Sequence, residues 1–274
     1  AKGGNKMNTN IKIAFFDIDG TLIDVPNGMI YPSKETINAI NSFREKGNLA
    51  FLATARLKPI SNLHEIKFDG GIFCEGTYIK HNEEVLVNNT FSQDEVTELV
   101  RLFKKYNAEF LFSGLNNSWI SNSDAEIVLK QRRMFLGTDK KPDDMLEAWD
   151  IKNVQANAAT PLFSNLEDML ACKDELSEKL SITYYTENLI RMDIRPGGYS
   201  KGTACKFLID KINIKPTNAY ALGDSENDIE MVSINENGSA MGNATEEVKK
   251  IAKEITDPVD QNGIYNYFSK NSLI

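Results

Sequence analysis

The fold is decided by the stretch Ile11-Lys12-Ile13-Ala14-Phe15-Phe16-Asp17-Ile18-Asp19-Gly20-Thr21. Its first six residues are mostly apolar and alternate poorly, which is typical of a strand buried on both faces, as in a parallel sheet. Two carboxylates and a Gly-Thr turn follow directly. In open α/β sheets the ligand crevice lies just outside the carboxyl ends of the strands. We therefore predict an α/β fold with a parallel sheet and a site at this strand end.

The spacing of the two carboxylates indicates a shared site. In extended backbone, residues i and i+2 point to the same side, so Asp17 and Asp19 can face one small volume. Two carboxylates held together repel each other and need a cation or a shared proton. Mg²⁺ prefers oxygen ligands and fits such a pair. On these residues alone an ordinary Asp-Gly turn beside a solvated strand end remains an alternative.

The composition excludes several classes of protein. The 274 residues are 41% hydrophobic and carry a net charge of −8, which indicates one or two folded domains and disfavours binding to nucleic acid or anionic membranes. Cys74, Cys172 and Cys205 have no metal-ligand spacing, and they predict reduced core thiols of a cytoplasmic protein. No run reaches membrane-spanning length, and no signal peptide is recognised. Residues 1–6 are interpreted as a tag remnant before a start at Met7.

Further strands are expected to reach the same sheet edge. A helix over 33–47 and a buried strand over 49–53 lead to Thr54, and such a strand-helix-strand unit implies parallel strands. Thr54 should therefore lie beside Asp17, although its hydroxyl could equally cap a helix. A strand at 71–74 precedes Glu75-Gly76, and another at 219–222 precedes Asp224.

The pattern changes in the middle of the chain. Mixed helices and strands without strict alternation predict an inserted α+β domain over 79–191, so the first domain would be split into 7–78 and 192–274. Within the insertion we expect a helix over 166–180 and, on weaker evidence, a strand over 154–157.

Several groups with chemical potential recur where a strand meets a helix. Each has a structural alternative: Asp224 and Asp228 can cap a helix, for example, whereas a lysine at a helix start is disfavoured by the helix dipole. Together they form the set that phosphoryl transfer needs, because an anionic nucleophile approaches a phosphoryl group only where a metal and a lysine cancel charge. The set comprises Asp17, Asp19, Thr54, Lys201, Asp224, Asn227 and Asp228.

These motifs, in this order, resemble the four motifs of the haloacid dehalogenase-like phosphatases, and the insertion resembles the α/β cap of the Cof-like subfamily. The resemblance implies a Rossmann-like parallel sheet core with helices on both faces and an inserted α+β cap domain that selects the substrate. It implies that Asp17 attacks phosphorus and forms an aspartyl-phosphate. Asp19 would protonate the leaving oxygen and later activate water, and Mg²⁺ would be bound by Asp17, the backbone carbonyl of Asp19, and Asp224.

The resemblance also implies that Thr54, Lys201 and Asn227 hold the phosphoryl oxygens, while Asp228 orients Lys201 or a metal-bound water. Three departures from the family pattern are considered, of which Asp24, near the first loop, is best interpreted as a solvated loop residue. Ala55 stands where the family usually has glycine, and Glu75 stands where it usually has asparagine. Glu75 adds negative charge, which puts the usual substrate contact at that position in doubt.

We therefore predict a Mg²⁺-dependent phosphatase for small phosphorylated metabolites, either sugar phosphates or a phosphorylated cofactor. A phosphotransferase or phosphomutase of the same fold is the first alternative. A catalytically inactive regulatory or binding member is the second. The expected partner is a small-molecule phosphate ester, with no nucleic acid and no membrane, and the sequence leaves open whether the protein is a monomer or a homodimer.

Overall fold

A computed structural model describes residues 10–274 of the chain. The interpreted tag remnant and the expected start at Met7 lie outside the described residues. The chain divides into two compact units: one holds the chain up to Val87 together with Tyr199–Ile274, and the other is Asn88–Gly198. Within residues 10–274, no helix combines the length and the apolar character that crossing a membrane requires.

The described chain contains strands and helices throughout its length. The strands are β1 (Ile13–Phe16), β2 (Leu49–Ala53), β3 (Gly70–Phe73), β4 (Tyr78–His81), β5 (Glu84–Asn88), β6 (Glu109–Ser113), β7 (Ser118–Ile120), β8 (Met145–Leu146), β9 (Ala158–Leu162), β10 (Leu180–Tyr185), β11 (Arg191–Pro196), β12 (Ala219–Gly223), β13 (Asn237–Ala240) and β14 (Glu254–Ile255). The α-helices are α1 (Lys34–Glu45), α2 (Gln93–Lys105), α3 (Glu126–Leu136), α4 (Leu166–Glu175), α5 (Lys201–Ile212), α6 (Ile229–Ile234), α7 (Glu246–Ile251) and α8 (Gly263–Lys270).

The first unit is built on a sheet whose strands run in the order β14-β13-β12-β1-β2-β3-β4-β5. β1 pairs in parallel with both β12 and β2, and β3, β13 and β14 continue the parallel arrangement outward. Among the strand pairs described for this sheet, only β3 with β4 is antiparallel. The chain leaves β1 toward β2 on one side and β12 toward β13 on the other. The topological switch point, where α/β sheets bind ligands, therefore lies between the paired strands β1 and β12.

Alternate side chains of β1 enter two separate hydrophobic clusters. Phe16 packs in one cluster with Phe43 of α1 and Phe268 of α8. Phe15 packs in the other, with Leu208 of α5. All four residues of β1 are buried, so the predicted two-faced strand and the predicted fold class are confirmed.

The second unit is an α+β structure with a sheet of its own, in the order β10-β11-β9-β6-β7-β8. Its described pairs are antiparallel except for β7 with β8. α2 and α4 bury Phe103 and Met169 in one cluster with Phe110 and Phe112 of β6. The unit therefore has its own core.

The predicted boundaries at 78/79 and 191/192 differ from the division of the compact units, which falls after Val87 and after Gly198. β4 and β5 extend the first sheet although, apart from the buried Ile79, their side chains are half-buried or exposed, and this partly exposed edge produced the change of pattern at residue 79. β11 pairs with β9 and β10 and so belongs whole to the second sheet.

Two predicted elements within the second unit differ from the structure. Residues 154–157 follow a 3-10 turn and precede β9, and they are mostly buried without a place in the sheet. The helix expected over 166–180 ends at Glu175, because Leu176 adopts extended backbone and the chain turns toward β10.

Phe43→Ala should destabilise the protein strongly. Phe43 is wholly buried and its ring lies 5.0 Å from that of Phe268, so truncation leaves a cavity between α1 and α8. The expected loss in the free energy of unfolding is about 3–5 kcal/mol, measured by urea denaturation. Phe207→Ala is the matched control, because Phe207 is 38% exposed, and it should cost less than about 1 kcal/mol. Equal losses for the two variants would contradict the assigned core.

Candidate active site

Polar side chains follow three neighbouring strands at the point where each strand ends. Asp17 follows β1, Thr54 follows β2 and Asp224 follows β12. Because these strands are parallel neighbours, their carboxyl ends lie at one edge of the sheet. The backbone N–H of Asp17 still donates to the carbonyl oxygen of Leu222, at 3.2 Å. Asp17 is therefore fixed at the switch point by the sheet itself.

Three carboxylates converge at this edge. Asp17, Asp224 and Asp228 each place an oxygen within 4.8 Å of the others. Asp17 and Asp228 are buried and Asp224 is partly buried. Such a cluster is electrostatically unfavourable unless positive charge compensates it.

The turn after Asp17 is shaped to admit Asp224. Gly20 has a φ of 87°, in the left-handed region, and a Cβ at this position would lie 2.1 Å from Oδ2 of Asp224. Thr21 Oγ1 donates to Oδ1 of Asp224 at 2.9 Å, and Asn243 Nδ2 donates to the carbonyl oxygen of Gly20 at 2.8 Å. Glycine at position 20 therefore satisfies both the backbone conformation and the close approach of the carboxylate.

Lys201 supplies the buried positive charge. It is the first residue of α5, its side chain is wholly buried, and Nζ donates to Oδ1 of Asp17 at 2.6 Å and to Oδ1 of Asp228 at 2.7 Å. Burial alone would lower the pKa of Lys201, but the charges of Asp17 and Asp228 outweigh it and hold the pKa above its usual range. The unfavourable position at a helix start is thus offset by two direct ion pairs.

Asp228 links the lysine to the loop after β12. One carboxylate oxygen accepts from Lys201, and the other accepts from the backbone N–H groups of Asp224 at 2.9 Å and Ser225 at 3.1 Å. Gly223 leaves room for this side chain, because a Cβ there would lie 2.5 Å from Cβ of Asp228. Asp228 therefore orients both Lys201 and the backbone that carries Asp224.

The chemistry of this donor set fits a divalent cation. Burial holds the pKa of Asp17 well above its usual range, although Lys201 acts in the opposite direction. Burial, followed by the charge of Asp228, raises the pKa of Asp224 to about 7. One lysine thus leaves the carboxylates under-compensated, and their all-oxygen donor set suits a hard ion such as Mg²⁺.

Asp19 lies apart from this buried cluster. β1 ends at Phe16 and the chain bends at Ile18, so Asp17 and Asp19 follow the strand in a loop and do not belong to it. Its carboxylate is half-exposed and accepts two hydrogen bonds from Arg56, from Nε and Nη2, each at 2.8 Å. The bond to Asp19 raises the pKa of Arg56 further. Thr54 stabilises the loop that carries Arg56, since its buried Oγ1 accepts from the backbone N–H of Arg56 at 3.1 Å.

Asn227 is held at both ends of its carboxamide. Nδ2 donates to Oε1 of Glu75 at 2.8 Å, and Oδ1 accepts from Ser225 Oγ at 2.6 Å. These contacts join the loop after β12 to the loop after β3, and they fix which way the amide faces.

All seven residues singled out in the sequence lie in the loops of this edge or at the start of α5. Two contributors were missed, Arg56 and Thr21. Arg56 stands two residues after Thr54, in the loop after β2, and that position could have suggested a place in the site, although not the pairing with Asp19. Thr21 belongs to the quoted stretch, but its hydrogen bond to Asp224 spans 203 residues and has no sequence signal.

A parallel α/β sheet with an acidic cluster and a buried lysine at its switch point defines a class of enzymes built for phosphoryl chemistry. A family model described as haloacid dehalogenase-like hydrolase matches residues 14–268. The chain therefore belongs to the haloacid dehalogenase-like hydrolase family, which confirms the resemblance.

Individual relatives agree with this assignment. The chain is 26% identical over 262 residues to "Putative phosphatase YkrA" of Bacillus subtilis, covering 92% of this chain and 95% of that protein. It is 26% identical over 259 residues to 5-amino-6-(5-phospho-D-ribitylamino)uracil phosphatase YcsE of the same organism, covering 93% of each. Among solved structures, the HAD subclass IIB sugar phosphatase BT4131 superposes with a TM-score of 0.78 at 29% identity, over 96% of this chain and 100% of that one. The predicted enzyme class, a phosphatase of this family, is confirmed.

We predict that Mg²⁺ stabilises the protein and that Asp224→Asn removes this stabilisation. At a Mg²⁺ concentration of about 100 times Kd, binding adds about 2.7 kcal/mol to the free energy of unfolding, which is several degrees in Tm. The variant should lose most of this shift, and without metal it should be at least as stable as the wild type, because a crowded carboxylate becomes a neutral amide. Thermal unfolding with and without Mg²⁺ measures both effects.

Asp260→Asn, at an exposed position of the same unit, is the control and should keep the full Mg²⁺ shift. An undiminished shift in Asp224→Asn would mean that the metal binds elsewhere.

Proposed function

We propose that the protein is a Mg²⁺-dependent phosphatase that hydrolyses small phosphorylated metabolites, sugar phosphates or a phosphorylated cofactor, through an aspartyl-phosphate on Asp17. The observation that carries the proposal is the convergence of Asp17, Asp224 and Asp228 on the buried Lys201 at the switch point. Phosphoryl transfer is mainly a matter of positioning and charge compensation, and this cluster provides both.

Asp17 is the proposed nucleophile. Oδ1 accepts from Lys201, which fixes the carboxylate and leaves its other oxygen for attack. A bond forms between that oxygen and phosphorus while the bond from phosphorus to the ester oxygen breaks. Water then attacks the phosphorus of the aspartyl-phosphate, which releases inorganic phosphate and regenerates the Asp17 carboxylate.

Asp19 is the proposed acid and base. It gives a proton to the leaving ester oxygen in the first step and takes one from the attacking water in the second. The bidentate contact with Arg56 suits the carboxylate form that the second step needs. The contact has to loosen when Asp19 carries the proton of the first step.

Each proposed phosphate-binding residue retains a donor for a phosphoryl oxygen. Lys201 has three N–H groups, and its described ion pairs use two of them. Thr54 accepts from a backbone N–H and keeps its own O–H. Asn227 Nδ2 carries two N–H groups and gives one to Glu75.

Mg²⁺ held by Asp17, the backbone carbonyl of Asp19, and Asp224 would supply positive charge to the phosphoryl group. Asp228 contributes by holding Lys201 and the backbone N–H of Asp224 in place. The cytoplasmic location expected from the cysteines, all of which are buried, stays a prediction.

The substrate class is supported by the relatives, one of them a sugar phosphatase and another acting on a phosphoribitylamino compound by name. We assign the choice of substrate to the unit Asn88–Gly198, the predicted cap. A panel of phosphate esters assayed with Mg²⁺ for release of inorganic phosphate tests the function. Transfer to an added hexose instead would support the phosphotransferase or phosphomutase alternative. No reaction with any ester, p-nitrophenyl phosphate included, would support the inactive binding member.

Asp17→Asn and Asp19→Asn should fail at different steps. With p-nitrophenyl phosphate, whose leaving group needs no proton, Asp19→Asn should still form the aspartyl-phosphate but hydrolyse it about 10²–10⁴-fold more slowly. Acid quenching with labelled substrate should therefore trap phosphoenzyme in Asp19→Asn and none in Asp17→Asn. Labelled protein in Asp17→Asn would place the covalent bond on another residue.

Arg56→Ala should lower kcat about 10- to 100-fold with a smaller change in KM, because Asp19 loses the contact that orients it. Arg56→Lys should restore only part of the rate, since lysine lacks the bidentate fork. Steady-state kinetics on one ester measure both variants. Arg101→Ala removes a similar bidentate pair, with Glu98 in the second unit, and should leave kcat unchanged. A normal kcat in Arg56→Ala would show that Asp19 needs no such support.

A further inference from the structure

Glu75 is a carboxylate that the proposed mechanism does not use, although it lies among the loops of the site. Its backbone N–H donates to the carbonyl oxygen of Thr54 at 3.2 Å, and the N–H of Cys74 donates to that of Arg56 at 2.9 Å. Its side chain accepts from Asn227 at 2.8 Å. Glu75 is therefore anchored to the loops after β2 and β12, which carry proposed phosphate-binding residues.

The backbone around Glu75 adopts a conformation that residues with a Cβ rarely accept. Cys74 and Glu75 have φ values of 49° and 57°, and Gly76 follows at 99°. Gly76 packs on the start of α5, where a Cβ would lie 2.7 Å from the carbonyl oxygen of Ser200. Such conformations persist where the surroundings enforce them, and they concentrate at functional sites. The loop thus holds Glu75 in one place, against Asn227.

The charge of Glu75 is separable from its hydrogen bond. A glutamine, which has the same length, could accept the same N–H from Asn227, so the contact alone does not require a carboxylate. The negative charge lies within electrostatic reach of Lys201, whose pKa it helps to raise. The charge of Glu75 adds to a site in which carboxylates already outnumber the cationic side chains. This site lies at the edge of the sheet that is proposed to bind the anionic substrate.

We propose that Glu75 is a specificity-determining residue, which fixes the Asn227 amide and disfavours esters that carry a second anionic group. The inference rests on the proposed phosphatase function and deepens it. Preferred substrates are monophosphates of neutral or cationic alcohols, such as sugars, polyols and amino alcohols. Bisphosphates and phosphorylated acids are disfavoured, because their second anion meets the charge of Glu75 in a partly desolvated site.

Three esters of nearly equal length isolate the effect of charge: phosphoethanolamine, 2-hydroxyethyl phosphate and 2-phosphoglycolate, whose far ends are cationic, neutral and anionic. The measurement is kcat/KM with Mg²⁺ for the wild type and Glu75→Gln. We expect the wild type to disfavour the anionic ester. Glu75→Gln should raise the ratio of anionic to neutral ester about 5- to 10-fold and lower the ratio of cationic to neutral ester. Glu83→Gln, whose side chain is 98% exposed in the same unit, should leave both ratios unchanged.

Glu75→Asn serves as a second charge-removing variant, because asparagine accepts a positive φ more readily than glutamine. Both variants should shift the ratios in the same direction. Glu75→Ala removes the hydrogen bond as well, so its KM for the neutral ester should exceed that of Glu75→Gln. Ratios that stay within about twofold of wild type in folded, active variants overturn the role of Glu75 and leave the phosphatase function standing. A wild type that hydrolyses no ester of the wider panel, these three and p-nitrophenyl phosphate included, overturns the proposed function itself, and this inference with it.

Discussion

The ammonium of Lys201, buried between Asp17 and Asp228, is the contact on which the rest of the site depends. Removing one partner of a buried ion pair costs about 3–5 kcal/mol, because the other charge is left uncompensated. The three side chains come from the end of β1, the start of α5 and the 3-10 turn after β12. Their shared charge balance therefore fixes the relative positions of three segments that are far apart in sequence.

The positive charge of Lys201 does not balance the negative charge of the site. A single lysine faces three clustered carboxylates, and burial raises the pKa of both Asp17 and Asp224. The protein without a cation thus holds carboxylates in an environment that disfavours their charged form. A divalent ion bound there would reduce the repulsion between the carboxylates, and their negative charge would stabilise the bound ion. The same crowding that makes the site costly for the fold makes it suited to a cation and a phosphoryl group.

Much of the site could be predicted because parallel strands order their ends in space. Once β1 and β12 are recognised as buried strands, Asp17 and Asp224 must share an edge, whatever their separation along the chain. Ion-pair partners in the loops could not be predicted in the same way. Arg56 pairs with Asp19 across 37 positions through loop conformations that no local pattern encodes. The edge strands β4 and β5 were also missed, since they mix polar with apolar residues and are largely half-buried or exposed, unlike the fully buried β1.

The site has a buried part and a mouth with different physical properties. Asp17, Lys201 and Asp228 are buried and mutually dependent, so a change in one disturbs the fold as well as the chemistry. The contacts at the mouth, Arg56 with Asp19 and Asn227 with Glu75, lie nearer the solvent, and of these four residues only Glu75 is partly buried. Exposed pairs contribute about 0–1 kcal/mol, so they can rearrange around a substrate, or change in evolution, at little cost to stability. A substitution at Glu75 should therefore cost the fold less than a substitution at the wholly buried Asp228, so the mouth is the part of the site where substrate preference can change with little loss of stability.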